Sequence, residues 1–224
     1  MERNMIGILM LDTTFPRPKG DIGNPETFSF PVIYKVVKEA TASRVMNKTG
    51  DDALIDPFVK AAKELESDGA KAITTSCGFL AIFQKEIQKE LTVPFFSSSL
   101  LQIPFANLVT GGTVGVITAV RSSLTNQHLK GVDAHHSPVV IEGMDDMPAF
   151  TSAIVEQTKN LHKIAVTKEM TQVTLRLLQN HPEVKAIVLE CTNMPPYLNA
   201  MQTVTELPIF DPNTLMAYMF NAIN

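Results

Sequence analysis

Two cysteines are the residues of this chain best suited to chemistry, and the sequence holds no others. Cys77 ends the stretch Lys-Ala-Ile-Thr-Thr-Ser-Cys at 71–77, and Cys191 ends Lys-Ala-Ile-Val-Leu-Glu-Cys at 185–191. A proline follows each at the same interval, Pro94 and Pro208. A free thiol is a weak acid with a reference pKa of about 8.5. Two of them on opposite sides of a small molecule can take a proton from one face of a carbon and return one to the other. That is the chemistry of racemisation at an acidic carbon. Neither cysteine belongs to a CxxC pair. His128, His135, His136, His162 and His181 show no ligand spacing tied to the cysteines. The pattern therefore argues against a redox motif and a zinc site.

The elements that must position these thiols also occur twice. Short apolar runs containing glycine, IGILM at 6–10 and VGVIT at 114–118, read as buried strands. Between each run and its cysteine lies an amphipathic helical pattern. Phe58, Ala61, Ala62 and Leu65 share a face of the first, which Gly69 ends. Met170, Val173, Leu177 and Leu178 share a face of the second, which His181-Pro182 ends. Strands alternating with helices predict parallel sheets covered on both faces. The expected fold is α/β, with two similar lobes related by a pseudo-two-fold axis and arising from an old duplication. The first lobe is expected over 1–98, with 212–224 returning to it, and the second over 99–211. The crossing falls within 95–112. Each cysteine then sits at the carboxyl end of a strand, where ligands bind in open α/β sheets. A helix N-terminus beside it would favour the thiolate.

Composition narrows the class. The chain has 224 residues, is 45% hydrophobic and 19% charged, and carries a formal charge of −4. No dense basic run points to nucleic acid or a membrane surface. The first ten residues contain no spanning stretch and no signal-peptide pattern, so a cytoplasmic location is expected.

The paired cysteine strands resemble the aspartate/glutamate racemase superfamily over nearly the whole chain. Glu-Cys-Thr-Asn at 190–193 is similar to the Cys-Thr-His of glutamate racemases, with Asn193 in place of the histidine. Ser-Cys-Gly-Phe at 76–79 carries Gly78 and Phe79 where those enzymes have Asn and Thr. The resemblance implies a cofactor-independent racemase or epimerase of an amino acid or amino-acid derivative. Its substrate would be a small carboxylate or cyclic amide, its catalytic pair Cys77 and Cys191, and its assembly a homodimer. The departures make glutamate the substrate least favoured. The resemblance also implies substrate contacts from Asp12, the acid nearest the end of the first strand, and from Thr118, at the same place in the second half. Ser76, Gly78, Phe79, Thr192 and Asn193 flank the thiols and complete the expected substrate-binding set.

Two rival readings stay open: a one-thiol maleate-type isomerase or malonate-type decarboxylase, and a two-lobed binding protein whose cysteines merely pack. The stretch 15–32 reads as an ordered loop over the cleft. Arg17, Lys19, Asp21 and Asn24 there could shape the pocket, with a plain surface loop the favoured reading for any one of them. Arg121 could clamp a carboxylate, with a solvated helix residue the favoured reading, and His135 and His136 read as part of a loop entering a strand. Strand alternation is expected to turn Glu190 away from the neighbouring thiol.

Overall fold

The computed structural model describes residues 4–223. Eight parallel strands form two four-stranded sheets. The first has the order β2-β1-β3-β4, from Val32–Val37, Met5–Leu11, Ala70–Thr75 and Phe95–Phe96. The second has the order β6-β5-β7-β8, from Val139–Gly143, Thr113–Thr118, Val184–Leu189 and Ile209–Phe210. The duplication extends to irregularities. The β1–β3 register slips between Met5 and Ile6, and the β5–β7 register slips between Thr113 and Val114. Gly7 and Gly115 occupy matching positions. A Cβ on them would stand 3.0 Å from Leu65 and 2.6 Å from Leu177, so each glycine lets a helix leucine press onto its sheet.

The two helices read from periodicity form as Ile55–Ser67 and Lys163–Asn180. The first buries Phe58, Ala61, Ala62 and Leu65, and the second buries Met170, Val173 and Leu177. A fully buried Leu or Phe contributes about 1.5–3 kcal/mol, so these faces fix each helix on its sheet. Leu178 is only partly buried. The 95–112 stretch folds as a short 3-10 turn, Ser99–Gln102, and a helix, Ile103–Thr110, joining the sheets. The helix Pro212–Ala222 lies against the first sheet, where Met216 shares a core with Ile6, Ile8 and Ala72.

The edge strand β2 departs from the simpler strand–helix alternation. The chain reaches it from β1 through an irregular loop with one 3-10 turn, Pro25–Thr27. Val32–Val37 is mostly half-buried, as an edge allows, so its sequence lacks the continuous apolar run of β1. The lobes pack as one body. A single apolar cluster runs from Phe58 and Ile73 through Leu100 to Val116 and Val188. Among the described residues, no helix is long and apolar enough to cross a membrane.

Candidate active site

Cys77 lies two residues beyond β3, and Cys191 two residues beyond β7. Their turns share one backbone plan. Ser76 N–H donates to Leu9 O and Glu190 N–H to Ile117 O, both at 2.9 Å. After each cysteine the chain turns back, Leu80 N–H to Cys77 O at 3.1 Å and Met194 N–H to Cys191 O at 3.2 Å. Both cysteines are free. They line one cavity between the lobes, together with Ser76, Gly78, Phe79, Thr192 and Asn193. Phe15, Arg17, Met46, Ile154 and Glu190 are also part of its wall. The free volume is about 20 Å³, room for roughly one water, so those side chains must move to admit a larger ligand.

The lobes interlock at the thiols. Thr192 Oγ1 donates to Ser76 O at 2.6 Å. At the matching place, Gly78 lies so close to Glu190 that a Cβ there would collide with the Glu190 carbonyl oxygen and Oε1. The residue two places after each cysteine reaches across to the other lobe. Asn193 Nδ2 donates to Asp21 Oδ2 at 2.7 Å, and the Phe79 ring meets His128 edge-on at 5.4 Å between centroids. Asp21 Oδ1 also takes Arg17 at 2.8 Å, and Arg17 in turn donates to Thr13 Oγ1 at 2.8 Å. The Asp21 carboxylate can only accept, so it fixes the Asn193 amide. Oδ1 of that amide is left facing Cys191 Sγ at 3.4 Å and accepts from the thiol.

The electrostatics correct one expectation. Instead of an α-helix, a 3-10 turn follows Cys77, and a bend and a 3-10 turn follow Cys191. The backbone N–H groups of Phe79 and Asn193 beside the sulfurs do favour the thiolate. Burial outweighs them and pushes both thiols well above their ordinary range, and the Glu190 carboxyl adds to the rise. In this narrow cavity both cysteines are therefore held as thiols.

Glu190 overturns the alternation argument. Regular alternation applies within the strand, and β7 ends at Leu189. Glu190 is one of the residues lining the cavity, its carboxyl is fully buried, and its charge acts on both thiols. Thr118 Oγ1 donates to its Oε2 at 2.8 Å, and the Ala119 N–H also bonds the carboxylate. Burial lifts its pKa to about 7.

Two expected substrate contacts lie elsewhere. Asp12 is exposed and absent from the cavity wall, because Leu11 and Thr13 on either side turn inward. Thr118 is buried behind the wall, holding Glu190. Of the loop residues that could shape the pocket, Arg17 lines it, and Asp21, only 1% exposed, holds Arg17 and Asn193 from behind, so the plain surface reading fails for both. The available signal was the Arg-x-x-x-Asp spacing in a loop directly after the first strand. Lys19 is exposed, and Asn24 caps a turn within that loop. Arg121 is exposed, as read.

The chain is 29% identical over 92% of its length to a dimethylsulfoniopropionate lyase of Durusdinium sp. clade D. It has the same identity, over 93% of its length, to dimethylsulfoniopropionate lyase 7 of Emiliania huxleyi. It spans 70% and 64% of those two relatives. Among solved structures, a mutant arylmalonate decarboxylase in a sulfate-associated form superposes with a TM-score of 0.65 at 15% identity, over 98% of this chain and 92% of that one. A glutamate racemase of Bacillus anthracis gives 0.65 at 17% identity, over 100% and 82%. The family model described as Asp/Glu/hydantoin racemase matches residues 31–219, and with its two matched thiol turns the chain belongs to that family.

Proposed function

We propose that the cleft removes the proton next to a carboxylate, with Cys77 and Cys191 addressing the reacting carbon from opposite faces. The observation that carries this reading is the shared cavity: one thiol from each duplicated lobe lines the same wall. The Phe79 and Asn193 N–H groups would hold the negative charge once a sulfur gives up its proton. Arg17, which lines the cavity, would face the substrate carboxylate.

The fate of the carbanion separates two readings. Where the next carbon bears a leaving group, the C–H electron pair forms a carbon–carbon double bond and the leaving group departs with its own pair. From dimethylsulfoniopropionate this yields dimethyl sulfide and acrylate, and the abstracted proton passes to solvent. The names of the curated relatives favour this elimination. Where no group leaves, a proton from the opposite thiol completes racemisation or epimerisation of an amino acid or a derivative. Retention of both cysteines at matched positions favours this second reading, because elimination needs only one base.

Both are tested together. The protein is incubated with dimethylsulfoniopropionate and headspace dimethyl sulfide is measured. In parallel, single enantiomers of amino acids and hydantoins are incubated in deuterated water, and deuterium and optical rotation are followed. Dimethyl sulfide release supports elimination. Loss of optical activity with deuterium at the reactive carbon supports racemisation. Activity undiminished in both Cys77→Ala and Cys191→Ala would refute thiol chemistry.

A further inference from the structure

Resting on the reading of a carboxylate-directed acid–base site, the geometry points to Glu190 as the receptor for a positively charged group on the substrate, so that the cleft selects zwitterions over simple carboxylates. Glu190 is fully buried and forms no salt bridge among the described residues. Its Oε2 is occupied by Thr118, but Oε1 finds no hydrogen-bond partner among them. A buried carboxylate oxygen without a partner is costly, and sites that keep one have a use for it. Gly78, which has no side chain, packs closely against that oxygen, and Glu190 belongs to the same cavity wall as both sulfurs. The matching residue of the first lobe is Ser76, whose Oγ is already taken by the Leu11 N–H. The unpaired acid therefore lies on one side of the cleft, while the other lobe supplies Arg17, which lines the wall and is held by Asp21. A molecule with a carboxylate at one end and a cation at the other matches that polarity.

The arrangement would also couple binding to chemistry. Glu190 opposes ionisation of both thiols in the empty cavity. A cation bound at Oε1 would cancel that field and so ease ionisation of the thiols, leaving burial as the force that holds them protonated.

The test uses two isosteric carboxylates with poor leaving groups, 3-(trimethylammonio)propionate and 4,4-dimethylpentanoate. Titration calorimetry at pH 8 should show the parent protein binding the cationic compound at least tenfold more tightly. Glu190→Gln should erase the preference and leave affinity for the neutral compound within about twofold. A second measurement needs no variant: the parent's preference should grow as pH rises through about 7, where Glu190 ionises. The other charged or titratable groups on the wall are Cys77, Cys191 and Arg17, with Asp21 bonded to Arg17. The thiols stay protonated over that range. Equal affinities in the parent, no binding of either compound, or a preference that survives in Glu190→Gln would overturn the assignment. The binding comparison does not depend on turnover. A preference without dimethyl sulfide or racemised product would sink the reaction reading alone, and turnover without a preference would sink this inference alone.

Discussion

The two thiol turns have the same backbone and different side chains. Thr75-Ser76-Cys77-Gly78-Phe79 and Leu189-Glu190-Cys191-Thr192-Asn193 make equivalent strand, turn and cross-lobe contacts. Ser76 accepts the N–H of Leu11 at 2.9 Å, and at the matching place the Ala119 N–H favours the charged form of Glu190. Beyond the cysteine, the first lobe offers a phenyl ring to a buried histidine, and the second an amide to a buried aspartate. Duplication supplied the matched pair of weak acids, and later divergence made their surroundings unequal. A symmetric frame with asymmetric charge can present two acid–base groups to one carbon while holding the substrate in a single orientation.

Removing either sulfur breaks the comparison most severely. Cys77→Ala and Cys191→Ala should each lower kcat by about 10²–10⁴-fold in a two-thiol reaction, measured on whichever substrate turns over. In an elimination that needs one base, only one of them should. Asp21→Ala removes the acid that holds both Arg17 and Asn193. It should cost about 3 kcal/mol in chemical denaturation, because a mostly buried guanidinium loses its partner.

The opposite cross-lobe contact predicts a pH effect. His128 is fully buried, its Nε2 has no partner among the described residues, and burial drives its pKa from 6.5 down to about 4. The unfolded chain takes up this proton as pH falls below about 6.5, while the folded one does not until about 4. Stability should therefore decline across that window, by on the order of 3 kcal/mol. Melting curves of His128→Phe should show a flatter decline; an unchanged slope would exclude His128 as the cause. Gly78→Ala should cost about 1–3 kcal/mol by forcing a methyl against Glu190. Thr192→Ala, at the equivalent position, should cost only about 1 kcal/mol, the worth of its bond to Ser76 O. Similar melting shifts for these two would show the interlock to be more symmetric than its contacts indicate.

Much of the frame was readable because it rests on local patterns. Phe58, Ala61, Ala62 and Leu65 fall on one helix face at a spacing of three and four, and a packed core must use that face. The repeated Lys-Ala-Ile run and its cysteine marked two equivalent strand ends. The site was less readable where it depends on a loop. Asp21 looks like any polar loop residue until the chain folds back and places it against Asn193, far away in sequence. Asp12 and Thr118 were attractive by position along their strands. One turns to solvent and the other stands behind Glu190, a difference in direction that no spacing rule encodes at a strand's last residues.

By itself the sequence determined the duplicated α/β frame and the two cysteines at its strand ends, since periodicity and repetition act over neighbouring residues. Only the tertiary structure decided that both thiols share one narrow cavity, that burial keeps them protonated, and that Glu190 faces them with a carboxylate oxygen to spare. Those properties come from desolvation and through-space charge, which depend on groups the fold brings together and the chain order keeps apart.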